Sequence, residues 1–522
     1  MKNVLMAAVM ATGICSAVEA APTDAVTQAD LQALIERITK LEAENKAQAV
    51  RIAELETAGK TVEAKVAEQS VQIAAKADAP KVDAAKADES TEISESGKVY
   101  TTASGKKYFL ADATANIFEP LSESGLQITP YGWLVLEGIY NTHGTDYPMY
   151  TDYVRPKNAP GHAGKDHTST LSMNDSILGF QFATPEVVNG WKFNGKFEFD
   201  LAGDNANKTD FHVRHLYWNM EHETGWSILF GQTWHLWKMV TPSEIDGAWM
   251  ENTGYPYRRS PQIRVTKKWD FDDDSSLEIR AGLVKNGPGM GGDRDGNGTE
   301  DNEQSAWCLF EGALVYDHVA PWEESDRRVL IGIAGQYGRE RSHRLSGYGF
   351  GLDSDTGAIV QSSPIYDGPN DSYNSDLVMI AASVPFLDKF TLCGQIFAGE
   401  NLGGVQAGVG QKIAFTDPTR KGREVTTVGG FVDLKYALNE TWSFAAGYGF
   451  DNPNVSSRDV DIYTRGDYAG ITYNDRAYID AFYQFNENLH FGVEYAYLTT
   501  DYVGEQKDND SHRLEFAVYY DF

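Results

Sequence analysis

The feature that most constrains this chain is a two-residue alternation of apolar and polar side chains, recurring from Leu126 to Phe522. The clearest run is 191–200. Trp191, Phe193, Phe197 and Phe199 take one parity, and Lys192, Asn194, Lys196, Glu198 and Asp200 take the other. The chain end repeats it, with His512, Leu514, Phe516, Val518, Tyr520 and Phe522 set against Arg513, Glu515, Ala517, Tyr519 and Asp521. A period of two belongs to strands whose faces meet different surroundings. In a soluble sandwich the apolar face is a core. In a membrane barrel it meets lipid, and the polar face meets a wet lumen.

Alternation alone does not separate these cases; segment length and connections do. About sixteen segments of roughly ten residues are expected, the length that crosses a bilayer at a barrel's tilt. They fall near 126–140, 170–183, 190–202, 210–221, 225–235, 260–270, 275–286, 304–316, 328–338, 375–385, 390–399, 424–438, 441–450, 471–485, 488–500 and 511–522. Strand two alternates poorly from Met173 to Ile177, which leaves its register open. Turns near 270–275, 438–441 and 485–488 are short, whereas 141–169, 236–259, 339–374, 400–423 and 451–470 are long. Short turns at one rim and long loops at the other are the habit of outer-membrane barrels, and an even strand count puts both barrel ends at the short-turn, periplasmic rim.

Upstream the pattern changes. Residues 1–20 read as a secretory signal: Lys2, an apolar stretch from Val4 to Ile14, and a small-residue cleavage site before Ala21. Residues 27–75 carry a heptad repeat, the pattern of a left-handed α-helical coiled coil. Two near-identical stretches, Arg37-Ile38-Thr39-Lys40-Leu41-Glu42 and Arg51-Ile52-Ala53-Glu54-Leu55-Glu56, resemble the Arg-h-x-x-h-Glu signature of three-stranded coiled coils. Ile at a with Leu at d alone would lean toward a dimer, and Asn45 at an a position can fix register and strand number. Residues 76–105, rich in Ala, Lys, Asp, Ser and Thr, read as a flexible linker.

Composition excludes several classes. A net charge of −30 argues against nucleic-acid binding. No run of 18 apolar residues follows the signal, so no spanning helix is expected. Cys308 and Cys393 alone make no disulfide framework. The fold class read from the residues is therefore an all-β transmembrane barrel preceded by a coiled coil.

Three segments then carry a resemblance: the terminal Tyr519-Tyr520-Asp521-Phe522, Phe230-Gly231-Gln232-Thr233-Trp234, and Ser260-Pro261-Gln262-Ile263-Arg264. With the coiled coil, these make the chain resemble the trimeric general porins of Gram-negative outer membranes, and more narrowly the DcaP-like porins. The resemblance covers about 126–522 and extends to 27–75. It implies a sixteen-stranded barrel in outer-membrane lipid, a homotrimer with its coiled coil in the periplasm, and passive diffusion of small hydrophilic, often anionic, solutes. It also implies that the third long loop, 236–259, folds inward and narrows the pore.

That loop holds Glu244, Asp246 and Glu251. An opposing basic wall is expected from inward cations at Lys192, Lys196, Arg214, Arg264, Lys268 and Arg280, with Arg258 and Arg259 where the loop rejoins it. Fixed charges at a narrow, low-dielectric passage set ion preference locally, whatever the net charge. The alternative is that these cations pair with Glu198, Glu278 or Asp200. Trp234, Trp237, Trp249, Tyr255 and Tyr257 suit either a slide for sugar rings or simple loop packing.

Asp293, Asp295, Asn297 and Thr299 match the first half of a calcium loop, but Gln304 stands where a bidentate Glu is wanted. The choice is between a structural Ca²⁺ and a solvated acidic turn; no other cofactor is indicated. No nucleophile-elbow or P-loop sequence occurs, and no enzyme is expected. His212 and His215, three apart on a strand, are expected on opposite faces. The porin reading leads. A closed barrel tethering the outer membrane to peptidoglycan, or a channel specific for dicarboxylate, phosphate or sugar, stands behind it.

Overall fold

The computed structural model describes residues 97–101, 107–111 and 126–522, apart from 185–188, 203–208, 287–307, 323–325, 344–346, 353–358, 366–368, 418, 457–469 and 505. The signal, the coiled-coil residues Arg37, Ile38, Leu41, Glu42, Asn45, Arg51, Ile52, Leu55 and Glu56, and the calcium-loop candidates Asp293, Asp295, Asn297 and Thr299 lie outside the described residues. Gly97–Thr101 pairs antiparallel with Lys107–Ala111.

Sixteen antiparallel strands close into one barrel. They are β1 (Gln127–Asn141), β2 (Thr168–Ser172 and Ile177–Ala183), β3 (Trp191–Ala202), β4 (Thr209–His222), β5 (Trp226–Trp234), β6 (Arg259–Asp270), β7 (Ser275–Val284) and β8 (Leu309–Val319). The second half is β9 (Arg328–His343), β10 (Asn370–Phe386), β11 (Phe390–Glu400), β12 (Thr426–Ala437), β13 (Trp442–Pro453), β14 (Ile471–Gln484), β15 (Leu489–Tyr502) and β16 (Asn509–Asp521). Each of the sixteen expected segments overlaps one strand. The broken alternation in strand two marks a true break: both pieces pair with β1, and residues 173–176 bend between them.

The two faces sort as the period requires. Leu514 and Phe516 on β16, Ile263 on β6, Ile331 on β9 and Ile380 on β10 are exposed on the outer wall, where lipid would cover them. Arg513 and Glu515, on the other parity of β16, are buried inside. β16 pairs with β1, and Phe522 extends the seam: its N–H donates to the Gly132 carbonyl at 3.0 Å, and the Gly132 N–H returns a bond at 3.2 Å. No helix among the described residues is long and apolar enough to cross a membrane.

One face departs from the pattern. The inner sides of β8–β11 carry an apolar patch, with Ala313, Val315, Ala334, Leu377, Met379 and Phe397 buried together. An apolar inner wall needs an apolar filling, and two loops supply it. Trp237 comes from the β5–β6 loop; Leu402, Val405 and Ala407 come from the β11–β12 loop.

Candidate functional site

The site is built by the loop 235–258, which leaves β5 after Trp234 and rejoins the wall at Arg259. A loop inside a barrel loses water and must find partners for its backbone there. At its root, Glu311 on β8 collects three donors: His235 Nδ1 at 2.5 Å, the Leu236 N–H at 2.9 Å and Trp237 Nε1 at 3.2 Å. Further on, the Ser243 N–H and hydroxyl donate to Asp433 on β12 at 2.8 and 2.7 Å. The Ile245 N–H donates to Glu494 on β15 at 2.8 Å. At the tip, Arg476 on β14 pairs with Glu244, with Asp246 at 2.8 Å and with Glu494 at 2.8 Å. Arg513 on β16 reaches Asp246 at 3.2 Å and Glu515 at 2.6 Å. The loop thus follows the inner wall from β8 round to β16, then returns along β12, where Tyr255 meets Phe431 edge-on at 5.4 Å.

This corrects the expected role of two acids. Glu244 and Asp246 do not line an opening; they face the wall at 6% and 0% exposure. Burial pushes the Glu244 carboxyl well above the usual range; Arg476 offsets part of that, and Glu494 and Asp246 add to it. Burial would raise Asp246 too, but Arg513 and Arg476 outweigh it and hold that carboxyl low. Glu251 is half-buried and accepts from the Tyr257 hydroxyl at 3.3 Å.

The basic wall divides. Arg214 pairs with Glu198 and Asp200, both at 2.7 Å, and Arg280 pairs with Glu278. Lys196 also reaches Glu198, at 2.6 Å. Lys268 lies two positions from the end of β6, exposed and paired with Asp270 at 2.8 Å; it does not approach the loop. Arg258 donates to the Gly404 carbonyl at 3.2 Å. Arg264 donates to the Trp234 carbonyl at 2.6 Å and to Gln262 at 2.8 Å, with no carboxylate in reach among the described residues. Arg259 lies 4.3 Å over the Trp234 ring, and its Nη1 is buried without a hydrogen-bond partner among the described residues.

Lys238, which the sequence reading missed, stacks on the same Trp234 ring at 3.8 Å and lies 5.2 Å from Trp249. Burial, then Arg259, Arg214 and Lys196, bring its ammonium down to about 7. Three cations without a carboxylate partner among the described residues, Lys238, Arg259 and Arg264, therefore surround Trp234. Of the two readings of the five rings, loop packing describes Trp237 and Tyr255, which are 1% exposed and pack inside.

A β-bulge corrects the histidines. Glu198 pairs with His215 and Phe199 with Val213, so Arg214 is the extra residue. The parity shift turns His212 inward as well as His215; His212 lies 3.0 Å from Asp200, and His215 Nε2 lies 3.7 Å from Glu198. The same bulge aims Arg214 at its two carboxylates.

Loop 401–425 also folds inward, and loop 142–167 joins it. Asn252 links all three loops: its amide donates to Asp152 at 3.1 Å, its N–H to the Gln406 carbonyl at 3.4 Å, and its Oδ1 accepts the Gly410 N–H at 3.1 Å. Lys412 clamps Glu340 on β9, both oxygens at 2.8 Å. The legible signal was the uncharged, glycine-rich run Leu402 to Gly410, which is poor material for a loop in water.

Ser260, His235 and Glu311 form a relay, with Ser260 Oγ 3.0 Å from His235 Nε2. It has the connectivity of a hydrolase triad. Yet Ser260 is 3% exposed, and Glu311 is occupied by loop donors. The relay is part of the loop's root.

The fold and lumen together define a closed sixteen-stranded barrel of the outer-membrane type, with loops packed inside. Among solved structures it is similar to the outer membrane channel DcaP of Acinetobacter baumannii, with a TM-score of 0.56 and 17% identity over 77% of this chain and 98% of that one. OmpT of Vibrio cholerae, as a loop L8 deletion mutant, matches at a TM-score of 0.45 and 12% identity, covering 76% and 100%. OmpF of Salmonella typhi, in complex with daunomycin, matches at 0.42 and 13%, covering 77% and 99%. No protein-family model and no curated relative matches the sequence.

Proposed function

We propose that the barrel is an outer-membrane porin, passing small hydrophilic solutes by passive diffusion and favouring anions. The observation that carries this reading is a closed barrel with loop 235–258 packed on its inner wall and with Lys238, Arg259 and Arg264 around Trp234, none paired with a carboxylate among the described residues. Glu244 and Asp246 are used up on the wall, so these cations set the local field despite a net charge of −30. Three copies would assemble, joined in the periplasm by the coiled coil of 27–75, which could also set the distance to peptidoglycan. A Ca²⁺ at Asp293, Asp295, Asn297 and Thr299 would steady the β7–β8 loop.

The test is conductance of the purified full chain in planar bilayers, with the reversal potential in a salt gradient. Openings in groups of three with anion preference are expected, and Arg264→Ala should reduce that preference severalfold. Cation preference would remove the basic-lumen reading. A correctly inserted trimer that does not conduct would overturn the porin and favour the tether.

A further inference from the structure

The tip of loop 235–258 docks into a group of carboxyls that outnumber their cations. Glu137, Glu244, Asp246, Asp480, Glu494 and Glu515 surround Arg476 and Arg513, and Asp175 adjoins Glu137 and Asp246 with Arg214 as its neighbouring cation. All but Asp175 sit on residues no more than 6% exposed. Every neighbouring element contributes: β1 gives Glu137, and the bend in β2 gives Asp175, which accepts from Tyr150 of loop 142–167. β14 adds Arg476, Tyr478 and Asp480, β15 adds Glu494, and β16 adds Arg513, Glu515 and Tyr519. Asp433 on β12 lies beside them, holding Ser243.

Both guanidinium groups are already committed. Neither oxygen of Glu137 has a hydrogen-bond partner among the described residues, and Asp480 is set against a second carboxyl, Glu494. Six ionised carboxylates beside two cations, out of water, are not a tenable state, because like charges in a dry site disfavour each other's ionisation. Some of these carboxyls must hold protons for the loop to stay docked.

We propose that loop 235–258 is latched to the β14–β16 wall by protons shared in this cluster, and that alkaline conditions ionise the surplus carboxyls and free the loop tip. The effect on passage rests on the loop being the pore's restriction; the release itself does not. The sign follows from the two loop acids. The Glu244 carboxyl is raised, so its share of docking is complete in acid and lost as pH climbs through its docked value. Asp246 is held low, so its share fails only in strong acid. Docking is therefore firm in the mildly acid range and weakens on the alkaline side.

A native reporter lies under the loop. Cys393 on β11 is 4% exposed, with its Sγ 3.7 Å from the Thr241 carbonyl. The experiment labels Cys393 of the full chain in vesicles with a membrane-impermeant thiol reagent, read by mass spectrometry, at about pH 6 and about pH 9. The wild type is compared with Glu137→Gln/Asp480→Asn and with Asp480→Asn alone, isosteres that remove surplus charge without removing volume. Thiolate formation rises with pH in all three, so the comparison cancels it. We expect equal rates at the lower pH, and about tenfold faster labelling of the wild type at the higher, the factor that one unit of pKa difference supplies. Equal rates at both would overturn the latch. Conductance on the same samples separates the readings: release with unchanged conductance sinks the loop restriction and leaves the latch standing.

Discussion

Arg476 and Arg264 are both inward arginines, yet their surroundings assign them different work. Arg476 is fully buried among three carboxylates. Removing one partner of a buried charge group strands the others, at about 3–5 kcal/mol. Arg476→Ala should therefore lower the unfolding midpoint of the barrel in lipid vesicles, followed by gel mobility or tryptophan fluorescence. Arg264, bonded to a carbonyl and an amide, should change ion preference while leaving that midpoint nearly where it was. Lys238 adds a pH dependence of its own. With its ammonium near 7, the lumen loses one positive charge as pH rises through that value, so anion preference should fall between about pH 6 and about pH 8.5. Lys238→Met should flatten that profile in reversal-potential measurements.

At the scale of elements, the return arm of the loop depends on a close approach. Gly449, inward on β13, has no room for a Cβ, which would run into the Thr253 carbonyl and lie 2.8 Å from Met250 Cε. Gly449→Val should push the return arm off the wall, cost about 1–3 kcal/mol and make single-channel current noisier. Strands were legible because a face in lipid and a face in a polar lumen impose a period of two. The bulge at Arg214 was not, since one extra residue leaves composition unchanged and only flips parity, which is why His212 was placed on the wrong face. The charge of Glu244 and Asp246 was legible and their direction was not: a loop has no periodicity, and its acids turned to Arg476 and Arg513, far away in sequence. The folding-in of loop 401–425 had a signal in its glycines and missing charges, but nothing to say which wall it would meet.

The whole molecule combines a barrel with a partial soluble-type core. On the β8–β11 side the lumen is filled by Trp237, Leu402, Val405 and Ala407; on the β5–β6 side lie the unpaired cations. Solute passage is thus expected off-centre, along the β3–β7 wall. Replacing 403–410 by a short glycine linker should raise conductance by emptying part of the filled side, with little change in ion preference, because the cations stay on β6 and in loop 235–258. Deleting 27–75 should leave the conductance of each opening intact while threefold openings become rarer as the protein is diluted, which crosslinking would register.

The anchors of loop 235–258 have a consequence for biogenesis. Ile245 bonds Glu494 across 249 positions of sequence, and Arg476 meets Asp246 across 230. The loop is synthesised before the strands that hold it, so it cannot dock until β14 to β16 are in place. Contacts of such separation are slow to form. The passage is therefore finished only after the barrel has closed, and a stalled assembly lacking β14 to β16 would carry an undocked acidic loop, open to proteases and to the machinery that inspects unfinished proteins.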